Sequence, residues 1–319
     1  MPKYSLPFQC LVSLSPLAKE LIPIQKAGTA FGNMLWHCLP KRRALAQDSI
    51  QSRLHLDPAR ARDVAYQSFL HTGKSFFEVV ASRNVDHRFV QSRVCIQNAE
   101  NFYKMTTISR PIVATTAHLG AWELMVGILR VAFQGRRAQI IVKSLKNESF
   151  QSGLALLRQI GPVEIIHSKN AAKQVLPALR QDRGISAFLV DHNTKRSKAL
   201  FLPFLTFPAT INFGPALLAL RAKALVWPIF MLRNGLGQFT LYSYPALDTT
   251  TLQGTLQTRI KTVVSFYSQA VEDMVRMYPE QWFWLHKRWK SRPKDEEIVD
   301  PRSYPVQADN LMFSKKSRL

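Results

Sequence analysis

The stretch RPIVATTAHLGAWEL, residues 110–124, holds the change of texture on which the fold turns. IVATTA is short, apolar and β-branched, the composition of a buried strand. AWELMVGILRVAF, which overlaps and follows it, is apolar almost all round and reads as a buried helix. His118 follows the strand, and Glu123 is the third residue of the helical run. Inside one regular helix, five steps would set them about 140° apart, out of easy contact. A strand–turn–helix reading serves them better. His118 ends the strand, Leu119 and Gly120 turn the chain, and Glu123 enters the first helical turn, where the helix dipole keeps a carboxylate ionised. From there Glu123 folds back onto the imidazole, holds one tautomer and steadies the imidazolium, a base-and-orienter pair. The chain has no GxSxG elbow and no cysteine near this pair. The nucleophile is then the substrate's own hydroxyl.

Outward from this stretch, strands and helices alternate. RAQIIVK, PVEIIH, GISAFLVD, ALVWPIFMLR and FTLYSYPAL read as strands. Residues 150–160, KNAAKQVLPALRQD, GPALLALRAK and SFYSQAVEDMVRMYP read as helices. Such alternation implies βαβ units, hence an α/β fold with a largely parallel sheet covered by helices. Residues 1–105 read as helices, one of them capped by Asp57 with Pro58 at its first position. The expected organisation is an N-terminal helical, membrane-associated region over 1–105, an α/β catalytic domain over 106–293, and a charged, loosely held tail over 294–319.

Three more charged residues end strands: Lys143, Asp191 and Arg233. Ligands of open α/β sheets bind outside the carboxyl ends of the strands, so these groups are candidates for substrate binding beside His118. The plainer reading is that strands end at the surface, where charges are common. No HExxH occurs and no second histidine lies close to His118 in sequence, so no metal site is expected. Near the C-terminus, RMYPEQWFWLHKRWKSRPK interleaves Trp282, Trp284 and Trp289 with basic residues. It suits an interfacial belt over anionic headgroups, a stacking platform for nucleic acid, or aromatics packed into the core.

The chain has 319 residues, 46% of them hydrophobic, with 43 basic against 21 acidic residues and a formal charge of +22. That excludes a disordered chain and implies an anionic partner. Cys10, Cys38 and Cys95 are far apart and form no CxxC pair, which points to a reducing compartment. The uncharged runs from Tyr4 to Ala18 and from Ala27 to Pro40 fall short of the roughly 18–20 apolar residues a bilayer core requires. They are read as buried helices or as helices lying in a membrane surface.

RPIVATTAHLGAWEL resembles the signature of the bacterial lipid A late acyltransferases, the lauroyl and myristoyl transferases of lipopolysaccharide synthesis. LVDHN, FLPFLTFPATINFGPALLAL and YPEQWFWLHKRWKSRP resemble further blocks of that family, in its order, and CLPKRRALAQDSI resembles its early RR…N box. The resemblance runs from about residue 20 to 293. It implies a glycerolipid-acyltransferase-like mixed, largely parallel α/β sheet flanked by helices, with N-terminal helices on the cytoplasmic face of the inner membrane. It implies transfer of an acyl chain from acyl carrier protein to a hydroxyl of an anionic lipid A precursor, with no cofactor. Residue by residue, His118 matches the family's general base, Glu123 its partner and Asp191 a functional acid. Arg158 matches a basic residue of the site, more loosely. Asp48 stands where the family usually has Asn, Lys143 where it usually has Arg, and Thr206 where it has a glycine. Three alternatives stay open. They are an acyltransferase on another glycolipid or phospholipid using coenzyme A, a non-catalytic membrane protein, and a basic nucleic-acid-binding protein, the last unaccompanied by any recognisable nucleic-acid motif.

Overall fold

The computed structural model describes residues 20–143, 163–168, 171–181 and 183–293. Arg158, the helix expected over 150–160, the run from Tyr4 to Ala18 and the tail from 294 lie outside them.

Three helices come first: α1 (Leu21–Cys38), α2 (Pro40–Leu54) and α3 (Pro58–Ala81). Asp57 caps α3 as its sequence requires, its side chain accepting from the N–H groups of Ala59 and Arg60 at 3.0 Å each. Helices α1 and α3 cross almost backbone to backbone. A Cβ on Gly32 would lie 2.4 Å from the Phe69 carbonyl oxygen, and one on Gly73 would lie 2.1 Å from that of Gly28. Only glycine permits so close a crossing, which fixes α1 onto the body of the protein. None of the described helices is long and apolar enough to cross a membrane.

The remaining elements are α4 (His87–Arg93), β1 (Val94–Gln97), α5 (Ala99–Thr107), β2 (Ile112–Thr116), α6 (Met125–Ala132), β3 (Ala138–Val142), β4 (Val163–His167), α7 (Ala172–Gln181), β5 (Ile185–Leu189), the hairpin β6 (Ala199–Phe204) and β7 (Phe207–Asn212), α8 (Gly214–Ala222), β8 (Leu225–Gly235), β9 (Gln238–Ser243), β10 (Leu247–Asp248) and α9 (Leu256–Met277). The main sheet runs β1-β9-β8-β2-β5-β3-β4, with β10 also on β8. It is parallel except where β8 meets β9 and β10. The expected mixed, largely parallel sheet is therefore present. Successive residues of a strand face opposite sides, so two cores form. Val113, Phe188, Val226 and Phe230 belong to one, and Ile112, Ala114, Trp227 and Met231 to the other.

Four elements differ from expectation. β1 is a strand inside the region 1–105 that reads as helices, and it joins the main sheet beside β9. α6 begins at Met125, so Glu123 precedes the helix instead of lying in its first turn. The hairpin β6–β7 turns through Leu205 and Thr206, both left-handed at φ +50° and +69°, with no glycine to announce a turn. Helix α9 starts at Leu256, well before Ser265, behind a Thr255 cap that accepts from Thr258 N–H at 3.2 Å.

Candidate active site at the ends of strands β2 and β5

Strands β2 and β5 are parallel neighbours in register, with Thr116 beside Leu189. Two residues further along each chain, His118 and Asp191 therefore emerge side by side. Asp191 Oδ1 lies 2.8 Å from His118 Nδ1, and Asp191 Oδ2 accepts from the His118 backbone N–H at 2.9 Å. Trp282 Nε1–H completes the grip on Oδ2 at 2.9 Å. The Asp191 side chain is wholly buried, while that of His118 is 18% exposed. Desolvation works to raise the Asp191 carboxyl. The charge and hydrogen bond of His118, with the nearby His192 and His286, overcome it and hold Asp191 well below the usual carboxylate range. An ionised carboxylate only accepts hydrogen bonds, so Nδ1 of His118 carries the proton and Nε2 is left as the basic nitrogen.

Glu123 was assigned the orienter's place from its spacing. The carboxylate hydrogen-bonded to His118 Nδ1 is Asp191, brought there by the adjacency of β2 and β5. Glu123 sits in the turn before α6, is 7% exposed, and accepts from Trp122 Nε1–H at 3.2 Å. Trp122 in turn stands edge-on to His118, ring centres 5.4 Å apart.

The turn between β2 and α6 is locked from three sides. Gly120 has φ +61°, and a Cβ there would meet the Met231 carbonyl oxygen at 2.2 Å, so glycine is required. Its N–H donates to Gln281 O at 3.0 Å, that of Ala121 to Met231 O at 2.7 Å, and that of Leu119 to Ala117 O at 2.7 Å. Phe283 N–H donates to the His118 carbonyl at 2.9 Å, and Leu119 forms an isolated bridge with Trp282. The segment 281–283 is thus sewn onto the site.

Of the other strand-end residues, Arg233 is not on the rim. It is 5% exposed and forms a bidentate ion pair with the buried Glu78 of α3, at 2.9 and 2.5 Å. Strand β8 runs on well past the end of β2, and this carries Arg233 under the helices. Arg233 Nη2 also donates to Ser75 Oγ at 2.7 Å, and Ser75 Oγ donates to the Gly120 carbonyl at 2.9 Å. The residue thereby braces the turn at Gly120. Lys143 is exposed, and its charge acts on His192, which places it near the mouth of the site.

Trp282, Trp284 and Trp289 are 1%, 1% and 8% exposed. They are core residues, neither a membrane belt nor a stacking platform. The sequence reading also gave no role to His192 or His286, and it counted Arg288 among the basic residues interleaved with the tryptophans. The His192 ring lies 4.2 Å from that of His118, centre to centre. His286 Nε2 approaches the Asp191 carbonyl at 3.2 Å. Arg288 is 1% exposed, donates to Thr210 O at 2.7 Å and lies 5.0 Å over the Phe204 ring. Burial lowers its guanidinium to about 10, with Asp191 pulling it back up. All three lie inside the blocks LVDHN and YPEQWFWLHKRWKSRP, which is the signal that could have found them.

No curated protein matches the chain. Residues 16–291 match the bacterial lipid A biosynthesis acyltransferases. That span covers most of the 319 residues, and the chain belongs to the bacterial lipid A biosynthesis acyltransferase family.

Proposed function

We propose that this acyltransferase of lipid A biosynthesis moves a fatty acyl chain from acyl carrier protein to a hydroxyl of a lipid A precursor, with His118 as general base and Asp191 as its orienter. The observation that carries this reading is the His118–Asp191 pair, 2.8 Å apart, with the carboxylate buried and the imidazole partly open. His118 Nε2 takes the proton of the acceptor hydroxyl as its oxygen attacks the thioester carbonyl. A carbon–oxygen bond forms, the carbon–sulfur bond breaks, and the departing thiolate takes the proton from the imidazolium. Asp191 stabilises the imidazolium in between. Glu123 holds Trp122 against the His118 ring and shapes one wall of the site.

The net charge of +22 suits a small acidic carrier and an anionic lipid alike, and Lys143 is positioned to meet either. The protein works on the cytoplasmic face of the inner membrane as a peripheral protein. The outward face of α1 and its end supports this, with Ile22, Met34 and Leu39 exposed at 39%, 48% and 36% and Lys41 and Arg42 beside them. The decisive test is purified His118→Ala protein given lauroyl-acyl carrier protein and a lipid A precursor in detergent. Turnover falls by at least about 100-fold with the fold intact. Full activity in that variant rules the mechanism out.

A further inference from the structure

A thioester attacked by a hydroxyl develops negative charge on its carbonyl oxygen, and an acyltransferase needs a hydrogen-bond donor there. The backbone N–H groups of residues 118–121 do not offer one. The N–H groups of His118, Leu119, Gly120 and Ala121 are all committed, to Asp191, Ala117, Gln281 and Met231. A side chain beside the His118 ring is then the candidate donor.

His192 meets that description. It follows Asp191 directly, its ring centre is 4.2 Å from that of His118 at an angle of 51°, and it is partly open to solvent. Among the described residues its ring nitrogens have no hydrogen-bond partner, whereas His118 and His286 each have theirs. Resting on the acyl-transfer reading above, we propose that His192 is the oxyanion donor of this site: its ring N–H takes the charge that develops on the thioester carbonyl oxygen. The hydroxyl oxygen must sit about 3 Å from His118 Nε2, and the carbonyl oxygen one bond beyond the attacked carbon. A ring this close to His118 reaches that position. Burial, and then the neighbouring charge of His118, push the His192 imidazole down to about 3, against the opposing pull of Asp191. It is therefore neutral at working pH, and it retains one N–H when His118 becomes imidazolium. A neutral imidazole donates to an oxyanion without taking the proton meant for the leaving group.

The test uses two variants and two ligands. His192→Phe keeps the ring and removes the donor, and His192→Gln restores an N–H. With lauroyl-acyl carrier protein as donor, His192→Phe lowers kcat by about 100-fold. KM stays within about threefold, and His192→Gln recovers to within about tenfold of wild type. In parallel, titration calorimetry compares a long-chain trifluoromethyl ketone, whose hydrate presents an oxyanion-like oxygen, with the methyl ketone of the same length. Wild type and His192→Gln prefer the trifluoromethyl ketone, and His192→Phe loses that preference. A preference unchanged in His192→Phe, or absent in wild type, overturns the proposal. If wild type shows the preference but acylates no lipid A precursor, the acceptor assignment falls and His192 stands.

Discussion

Removing one partner of the Arg233–Glu78 pair should do more damage than removing both. The two side chains are 2% and 0% exposed and joined by two hydrogen bonds. Glu78→Gln keeps the shape but leaves a guanidinium buried without its counter-charge. Arg233→Met leaves the carboxylate buried without its counter-charge, holding the Gln25 Nε2–H at 2.7 Å. Uncompensated burial of either charge costs about 3–5 kcal/mol. With an m-value of about 3 kcal/mol per M in urea, the unfolding midpoint drops by about 1–1.7 M for each single variant. In the double variant Arg233→Met/Glu78→Met no charge is stranded, and the loss is no greater than the worse single one. The cycle then gives a coupling energy of at least about 2 kcal/mol. Urea titrations at neutral pH, followed by tryptophan fluorescence, measure all four corners. Strictly additive losses would refute the reasoning and reduce the pair to two independent packing positions. Because Ser75 links Arg233 to the Gly120 carbonyl, the single variants should also show a lower kcat while still folded.

Asp191→Asn should lower kcat by at least about 100-fold and Glu123→Gln by less than about tenfold; the reverse order would return the orienter's place to Glu123. Thr206→Gly should raise stability by about 1 kcal/mol in thermal melts, since a left-handed φ of +69° strains threonine and suits glycine. Acid should destabilise the protein early. His71 is held well below its usual value, first by burial and then by Arg233, and His192 and His286 are held at about 3 and 4, first by burial. The folded state then binds fewer protons than the unfolded one, so stability is full above about pH 6.5 and falls as pH drops below it. The slope reaches at most about 4 kcal/mol per unit for three histidines, and melts at fixed ionic strength between pH 7 and 4 read it out. The pair Met34→Glu/Leu39→Glu should release the protein from vesicles containing anionic lipid while leaving the melting temperature unchanged; retention on the vesicles would remove α1 as the contact.

Much of this fold could be read from local texture. The strand IVATTA and the turn at Gly120 lie where the change of periodicity put them, as do β3, β4, β5, β8 and β9, while the helix after the turn begins later, at Met125. What texture does not carry is strand order. His118 and Asp191 meet because β2 and β5 are adjacent and in register, a fact about residues 73 positions apart. A reading limited to neighbours in sequence chose Glu123 instead. Arg233 misled for a related reason. It ends an apolar run, but β8 is 11 residues long and carries it beneath α3 rather than to the rim. The tryptophans near residue 285 looked amphipathic beside their lysines. Only the long-range bridge from Leu119 to Trp282 shows why they are inside.

That bridge also bears on how the enzyme is made. A chain growing from its N-terminus presents His118 and Asp191 long before Gln281, Trp282 and Phe283 exist. Until those residues arrive, Gly120 N–H lacks its acceptor, the His118 carbonyl lacks its donor, and Asp191 lacks the indole N–H that helps anchor it. The sheet can assemble on the ribosome with its base unoriented. On the mechanism proposed above, the site around His118 is therefore completed late in synthesis, when the closing segment docks.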